Sequence, residues 1–136
     1  MRRISALLIA ISLIAISSCK DPQRSQQLLD EGINLMTVHG KYADAEAAFT
    51  KAIQNDANNY EAYYYRGCTK FNRSMYDDAV LDFQKALDIK PEYPDAEFAL
   101  GRIYYMKNDF EMACYYYKAA AQHGRPNMED YIKPCQ

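Results

Sequence analysis

The chain has 136 residues, of which 49% are hydrophobic and 25% charged, and its net charge is −2. This composition fits one globular domain and argues against a disordered chain. The mildly acidic balance also argues against nucleic-acid binding, which needs a basic surface. Tryptophan is absent, but 13 tyrosines and 5 phenylalanines are present. Aromatic side chains are therefore expected to supply much of the buried core.

The N-terminal segment has the pattern of an export signal. Arg2 and Arg3 provide a positive start, and an apolar run follows from Ile4 to Ile16. This run is shorter than the roughly 20 residues that a membrane-spanning helix needs. The pattern therefore predicts a secretory signal peptide, and an uncleaved membrane anchor is the alternative.

A cysteine stands where the apolar run gives way to polar sequence. The segment ISSC, residues 16–19, resembles the signal of bacterial lipoproteins. The resemblance implies a signal peptide over 1–18, acyl chains such as palmitate on Cys19, and a lipidated tether over 19–25. Because one acyl chain holds a protein at a membrane only marginally, two or more are expected. Lys20 is similar to the residue that follows the cysteine in outer-membrane lipoproteins, so the expected location is the bacterial cell envelope, at the outer rather than the inner membrane. The alternative is an ordinary signal peptide that ends near a cysteine.

The rest of the chain repeats itself every 34 residues. The repeated positions are Tyr42, Ala45, Phe49 and Ala52; then Tyr76, Ala79, Phe83 and Ala86; then Phe110, Ala113, Tyr117 and Ala120. In each copy this spacing places the four side chains on one face of a helix. A second periodic segment precedes each copy, at about residues 25–38, 60–72 and 94–106. Polar connectors separate the two segments at 39–41, 73–75 and 107–109. The repeated unit is therefore predicted to be a helix, a tight turn and a second helix.

These residues resemble the tetratricopeptide repeat (TPR). The second copy matches best, through Tyr63, Gly67, Tyr76, Ala79, Phe83, Ala86 and Pro91. The segment from Tyr117 to Gly124 is similar to the end of a Sel1-like repeat, a relative of the TPR. The resemblance implies an all-α fold, an α-solenoid of three TPR-like helix-turn-helix repeats with a short C-terminal capping helix. The expected TPR domain covers 26–136, with repeats at about 26–58, 60–93 and 94–125 and a cap at 126–136. Met128, Tyr131 and Ile132 are expected to pack on the third repeat as a lid.

The sequence contains no recognisable catalytic constellation. It has no glycine-rich phosphate loop, and His39 and His123 are interpreted as surface residues without a partner. No enzymatic activity, cofactor or metal site is expected, since no ligand pair has the spacing of a zinc site. Beyond Cys19, three cysteines remain. A disulfide between Cys114 and Cys135 would hold the C-terminus, but sequence alone does not assign connectivity, so this pairing is left open.

In the TPR family, the first helix of each repeat lines a concave groove. The residues expected on this face are Tyr64, Phe71, Phe98, Arg102, Tyr105 and Met106. Aromatic, arginine and methionine side chains are enriched at protein interfaces, so these six are predicted to bind a partner. Packing between neighbouring first helices is the alternative. Family members that grip a C-terminal carboxylate use lysine, arginine and asparagine on this face. Here those regions hold Leu29, Ile33, Tyr64, Tyr65 and Cys68, so that type of clamp is not expected.

The predicted function is a membrane-anchored interaction module or scaffold of the bacterial envelope. It would be tethered by lipid on Cys19 and would bind a protein or peptide partner through the groove. Two alternatives stay open. One is a structural lipoprotein that self-associates into a homo-oligomer. The other is an envelope enzyme, against which the missing acid, base and nucleophile argue.

Overall fold

The computed structural model describes residues 20–135, and the regular structure in this range is helical. The elements are α1 (Pro22–Thr37), α2 (Tyr42–Asn55), α3 (Tyr60–Asn72), α4 (Tyr76–Ile89), α5 (Pro94–Met106), α6 (Phe110–Gln122), α7 (Glu129–Ile132) and a 3-10 turn, Lys133–Cys135. The first six helices pack as three consecutive pairs, which stack through α2 on α3 and α4 on α5. The predicted α-solenoid of three helix pairs and a short C-terminal helix is confirmed. The predicted signal peptide and Cys19 lie outside the described residues.

A glycine on the first helix of each pair lies directly against an aromatic ring of the second helix. The three contacts are Gly32 with Phe49, Gly67 with Phe83 and Gly101 with Tyr117. A Cβ atom added at Gly67 would lie 2.8 Å from the Phe83 ring, closer than real Cβ contacts. Phe83 is 1% exposed, so its ring is enclosed on its other sides. The absence of a side chain at these glycines therefore sets the close approach of the paired helices.

The turn inside each pair uses one residue in the left-handed backbone region. Gly40, Ser74 and Asn108 are 34 residues apart and have φ angles of 61°, 62° and 62°. After each of them the chain returns a backbone hydrogen bond to the end of the preceding helix. The N–H of Met75 donates to the carbonyl of Lys70 at 2.9 Å, for example. This is the usual way to end a helix and satisfy its last carbonyls, so the predicted tight turns are confirmed.

A buried ion-pair network joins the first two helix pairs. Asp82 on α4 is 4% exposed and accepts two hydrogen bonds from the Arg66 guanidinium, at 2.7 and 2.9 Å. The Lys70 ammonium lies 2.8 Å from the same carboxylate. Arg66 also donates to the Thr50 hydroxyl on α2, at 3.2 Å. The single carboxylate therefore balances two cations and links three helices.

The first helix begins earlier than the sequence indicated. The tether was expected to extend to residue 25, but α1 starts at Pro22, and the Asp21 carboxylate caps it by accepting from the Arg24 N–H at 3.0 Å. Ser25 is fully buried, and its hydroxyl donates to the carbonyl of Ala52 at 2.8 Å. A polar residue is stable here because α2 supplies an acceptor, a contact that composition does not reveal.

The C-terminal segment closes part of the end of the solenoid. Met128 is 3% exposed and packs with Ala113, Tyr117 and Ala120 of α6. A disulfide joins Cys114 of α6 to Cys135 of the 3-10 turn, which answers the pairing that the sequence left open. The Lys118 ammonium also donates to the carbonyl of Cys135, at 2.8 Å. The last residues are therefore held against α6.

Candidate partner-binding site

The six residues predicted to bind a partner lie on α3 and α5 and line two adjoining clefts. The central cleft has a volume of about 220 Å³ and includes Tyr64, Phe71, Phe98 and Arg102. The C-terminal cleft has a volume of about 700 Å³ and includes Arg102, Tyr105 and Met106. Arg102 belongs to both linings. The structure thus brings the six together along one continuous surface.

In the central cleft, Tyr64 is half-buried and also serves the core. Its ring lies 5.7 Å from the Phe83 ring and 5.1 Å from the Tyr93 ring. Burial raises the pKa of the Tyr64 hydroxyl above its ordinary value, so the phenol is neutral and available only for hydrogen bonding. The neighbouring Cys68 thiol is unpaired, and burial raises its pKa to about 11. This cleft therefore offers a fixed aromatic wall with little charge.

Arg102 lies where the two clefts meet and is held by an aromatic ring. Its guanidinium carbon is 4.8 Å from the centre of the Phe71 ring, a cation–π distance. Nearby, Arg125 stacks at 3.9 Å on Phe98 but is paired with Asp95. Arg102, by contrast, has no carboxylate within ion-pair distance among residues 20–135. Its charge is therefore positioned and free to meet an acidic group.

The C-terminal cleft exposes an unusual amount of apolar surface. The exposed fractions are 57% for Tyr105, 49% for Met106, 54% for Phe110 and 42% for Tyr131. The rings of Tyr105 and Phe110 contact each other edge to face, with centres 5.4 Å apart. Large side chains grouped in this way mark interaction surfaces in water-soluble domains. The cleft is closed on one side by the Cys114–Cys135 disulfide and Pro134.

Two residues of this cleft were not among the predicted site residues. Phe110 was interpreted as a core position, because the equivalent Tyr76 of the second repeat has the same place in the pattern. Tyr131 was expected to pack as part of the lid. It does contact Phe98 and Tyr117, with ring centres 5.0 and 5.2 Å away, but much of it stays exposed. The available signal was the length of the segment after Gly124, which is too short to cover the third repeat fully.

His123 corrects the expectation of a surface histidine without a partner. Its Nδ1 atom lies 2.7 and 2.9 Å from the two carboxylate oxygens of Glu97, which is 4% exposed. Burial raises the pKa of the Glu97 carboxyl, and the neighbouring histidine partly opposes this shift. The contact ties the end of α6 to the first turn of α5. The sequence did not show it because the two residues are 26 positions apart. His39 is exposed in its turn.

Neither a metal-binding cluster nor a spanning helix is found in the described part of the chain. Over residues 20–135, no three His, Cys, Asp or Glu side chains come together in a way that could hold a metal ion. In the same range, no helix combines the length and apolar character needed to cross a bilayer.

The comparisons with known proteins identify the repeat. Tetratricopeptide-repeat family models match residues 60–93 and residues 38–68. The tetratricopeptide repeat and J domain-containing co-chaperone DNJ1 of Cryptococcus neoformans is 29% identical over 89 residues, which cover 65% of this chain and 17% of that protein. The first TPR of Spaghetti (RPAP3), bound to HSP90 peptide SRMEEVD, superposes with a TM-score of 0.78 at 20% identity, covering 85% of this chain and 93% of that one. MamA superposes with a TM-score of 0.74 at 25% identity, covering 82% and 66%.

The chain is therefore a TPR-repeat protein, and its described part is an all-α TPR helical repeat domain of three helix pairs and a short C-terminal helix. Domains of this class act as interaction modules and are typically non-catalytic. The chain corresponds to only 10% to 20% of the length of the five curated relatives compared.

Proposed function

We propose that this chain is a lipid-anchored interaction module of the bacterial cell envelope, which binds a peptide or one face of a partner protein through its concave groove. The observation that carries the proposal is the continuous surface formed by the central and C-terminal clefts. Aromatic, methionine and arginine side chains line it, and these residue types dominate binding energy at protein interfaces. Several of them are exposed without a partner among the described residues.

The proposed anchor rests on the sequence of the N-terminal segment. Two arginines, a short apolar run and the ISSC motif precede a polar region, in the order that a lipoprotein signal requires. Only Lys20 and Asp21 lie between Cys19 and the first helix. At about 3.5 Å per residue, a lipid on Cys19 would hold the domain within roughly 10 Å of the membrane surface. The outer membrane is the proposed location, on the basis of Lys20.

Peptide binding by similar domains supports the module but does not supply the ligand. The structures of RPAP3 and of yeast Sti1 are complexes with HSP90 or its peptide SRMEEVD. In this chain, Leu29, Ile33 and Tyr65 stand in regions where a carboxylate clamp would need cationic or amide side chains. We therefore propose a partner that is recognised mainly by apolar contacts.

Cross-linking in the native host tests the groove. The chain and the double variant Arg102→Ala/Tyr105→Ala would be cross-linked in intact cells and purified, and the attached proteins would be identified by mass spectrometry. The proposal expects one or more partners that the double variant loses. Leu81→Ala is the matched control, because Leu81 is 64% exposed on α4, away from both clefts. Identical partners for all three chains would refute the groove.

Incorporation of labelled palmitate tests the anchor separately. The full chain should carry the label and fractionate with membranes, and the Cys19→Ala variant should do neither. Light scattering of the purified chain, with and without Tyr105→Ala, distinguishes a partner-binding module from a self-associating structural protein. A stable oligomer that Tyr105→Ala dissociates would favour the structural role.

A further inference from the structure

The end of the third repeat corresponds, residue by residue, to a surface of the second repeat that is covered in this structure. Phe71 and Tyr76 form an edge-to-face ring pair with centres 5.4 Å apart. Tyr105 and Phe110, 34 positions later, form the same pair at the same distance. Phe71 and Tyr76 are half-buried because α5 packs over them, with Arg102 stacked on Phe71. The corresponding Tyr105 and Phe110 are both more than half exposed.

The helix that would cover this pair is cut short. Residues 129–132 of α7 lie 34 positions beyond residues 95–98 of α5, so α7 has the place of a fourth first helix. It has four residues, however, whereas α5 has 13. Pro134 has no N–H with which to continue an α-helix, and the disulfide ties Cys135 to α6. The cap therefore covers the Tyr117 half of the end surface and leaves the Tyr105 half open.

We infer that the C-terminal cleft is a docking site for a short amphipathic α-helix of a partner protein, whose apolar face contacts Tyr105, Met106 and Phe110 and whose acidic residue pairs with Arg102. This inference deepens the proposed function, since it assumes that the chain binds a protein. The shape of the occupant follows from the repeat, because a helix covers the same ring pair one repeat earlier. A volume of about 700 Å³ suits the side chains of a helix of a few turns.

The charges of the cleft favour an acidic residue in the incoming helix. Arg102 and Asp130 are its two charged lining residues, and neither makes an ion pair within residues 20–135. The stack on Phe71 fixes the position of the Arg102 guanidinium, whereas Asp130 lies exposed on α7. In the second repeat, Cys68 has the position that Arg102 has in the third, and the acidic Asp95 of the covering helix lies near it. An acid at the same place in a docked helix would face Arg102.

A second copy of the chain is a poorer fit to the cleft. To continue the solenoid, another copy would have to place its α1 there. The outward side of α1 is polar, with exposed Gln23, Gln26, Gln27, Asp30 and Glu31. Such a side would leave the apolar surface of Tyr105 and Phe110 against polar groups. We therefore assign the cleft to a different protein.

The test uses synthetic peptides and the full chain. A fluorescent peptide of about 15 residues, long enough to form helix, would carry leucines at i, i+3, i+4 and i+7 and one glutamate beside them. Matched peptides would carry lysine in place of the glutamate, or a central proline that prevents the helix. Anisotropy titrations are expected to show binding of the glutamate peptide, about tenfold weaker binding of the lysine peptide and none of the proline peptide.

Variants of exposed residues make the test specific. Arg102→Glu should reverse the preference, so that the lysine peptide binds better, and Tyr105→Ala should weaken both peptides about tenfold. Leu81→Ser is the control and should change nothing. Circular dichroism would show that each variant is folded.

Three results would overturn the inference. The proline peptide could bind as well as the glutamate peptide, Arg102→Glu could leave the preference unchanged, or sedimentation could show a dimer that Tyr105→Ala dissociates. If the peptides fail while cross-linking still finds a partner that depends on the groove, the inference fails alone. If no partner depends on the groove in cells, the proposed function fails even where the peptides bind.

Discussion

The contact between Gly67 and Phe83 provides the most direct test of the fold. Replacing Gly67 with alanine adds one methyl group, which would lie 2.8 to 3.1 Å from three atoms of the Phe83 ring. Alanine favours a helix interior over glycine by about 1 kcal/mol. Overpacking of an enclosed core opposes this gain by about 1 to 3 kcal/mol. Because the Phe83 ring is buried and cannot move aside, we expect Gly67→Ala to lower the free energy of unfolding by about 1 kcal/mol.

The sign of this effect should depend on the ring. In a Phe83→Leu background the ring atoms that crowd the new methyl group are gone, so the helix propensity of alanine should prevail. Gly67→Ala should then be neutral or stabilise the protein by up to about 1 kcal/mol. The difference between the two backgrounds is the coupling energy, expected at about 1 to 2 kcal/mol for groups in direct contact.

Urea unfolding followed by circular dichroism measures all four proteins of this cycle. The slope of the free energy against urea must stay constant among them, since a repeat protein can lose two-state behaviour. If Gly67→Ala stabilises the protein equally in both backgrounds, the helices are not held at the distance seen here, and the steric explanation of the glycine is wrong.

Three further predictions concern the turns, the ion pairs and the free thiol. Ser74→Gly should raise the free energy of unfolding in urea by about 1 kcal/mol, because the left-handed conformation strains a side chain, whereas Asn108→Gly should gain less, since asparagine tolerates that region. Asp82→Asn should lower it by about 2 to 3 kcal/mol, at the low end for a broken buried ion pair because the Arg66 side chain is 18% exposed; no change would show that solvent replaces the carboxylate. Cys68 should react with iodoacetamide at pH 8 about 100-fold more slowly than a thiol with the ordinary pKa of 9.0, because burial raises its pKa to about 11, and the rate should rise with pH; labelling at the ordinary rate would contradict its burial.

The helix pairs could be predicted from the sequence because their cause is local. Each pair needs an apolar stripe at helical spacing, a glycine opposite an aromatic residue, and a turn residue that accepts a positive φ, and all of these recur at a fixed interval. Ser25 shows the limit of this reasoning. Its burial depends on the Ala52 carbonyl of another helix, and no pattern near Ser25 in the sequence reports that acceptor.

The candidate site was only partly predictable for a related reason. Arg102, Tyr105 and Met106 could be placed on one surface from helical periodicity. The exposure of Phe110 could not, because the same repeat position is half-buried at Tyr76 and open at Phe110. What differs is the next helix, not the residue. The disulfide was open in the sequence for the same reason, since its pairing depends on the path of the chain after Ile132.

The size of the C-terminal cleft has a consequence for the proposed function. A short helix in a cleft of about 700 Å³ contacts much less surface than the roughly 800 Å² per partner of a standard protein interface. Its affinity in solution would therefore be modest, even with rigid aromatic anchors that lose little entropy on binding. A lipid on Cys19 would compensate, because confining both proteins to one membrane raises their effective concentration. The proposed anchor and the proposed cleft thus depend on each other: the cleft specifies the partner, and the membrane makes a weak contact sufficient.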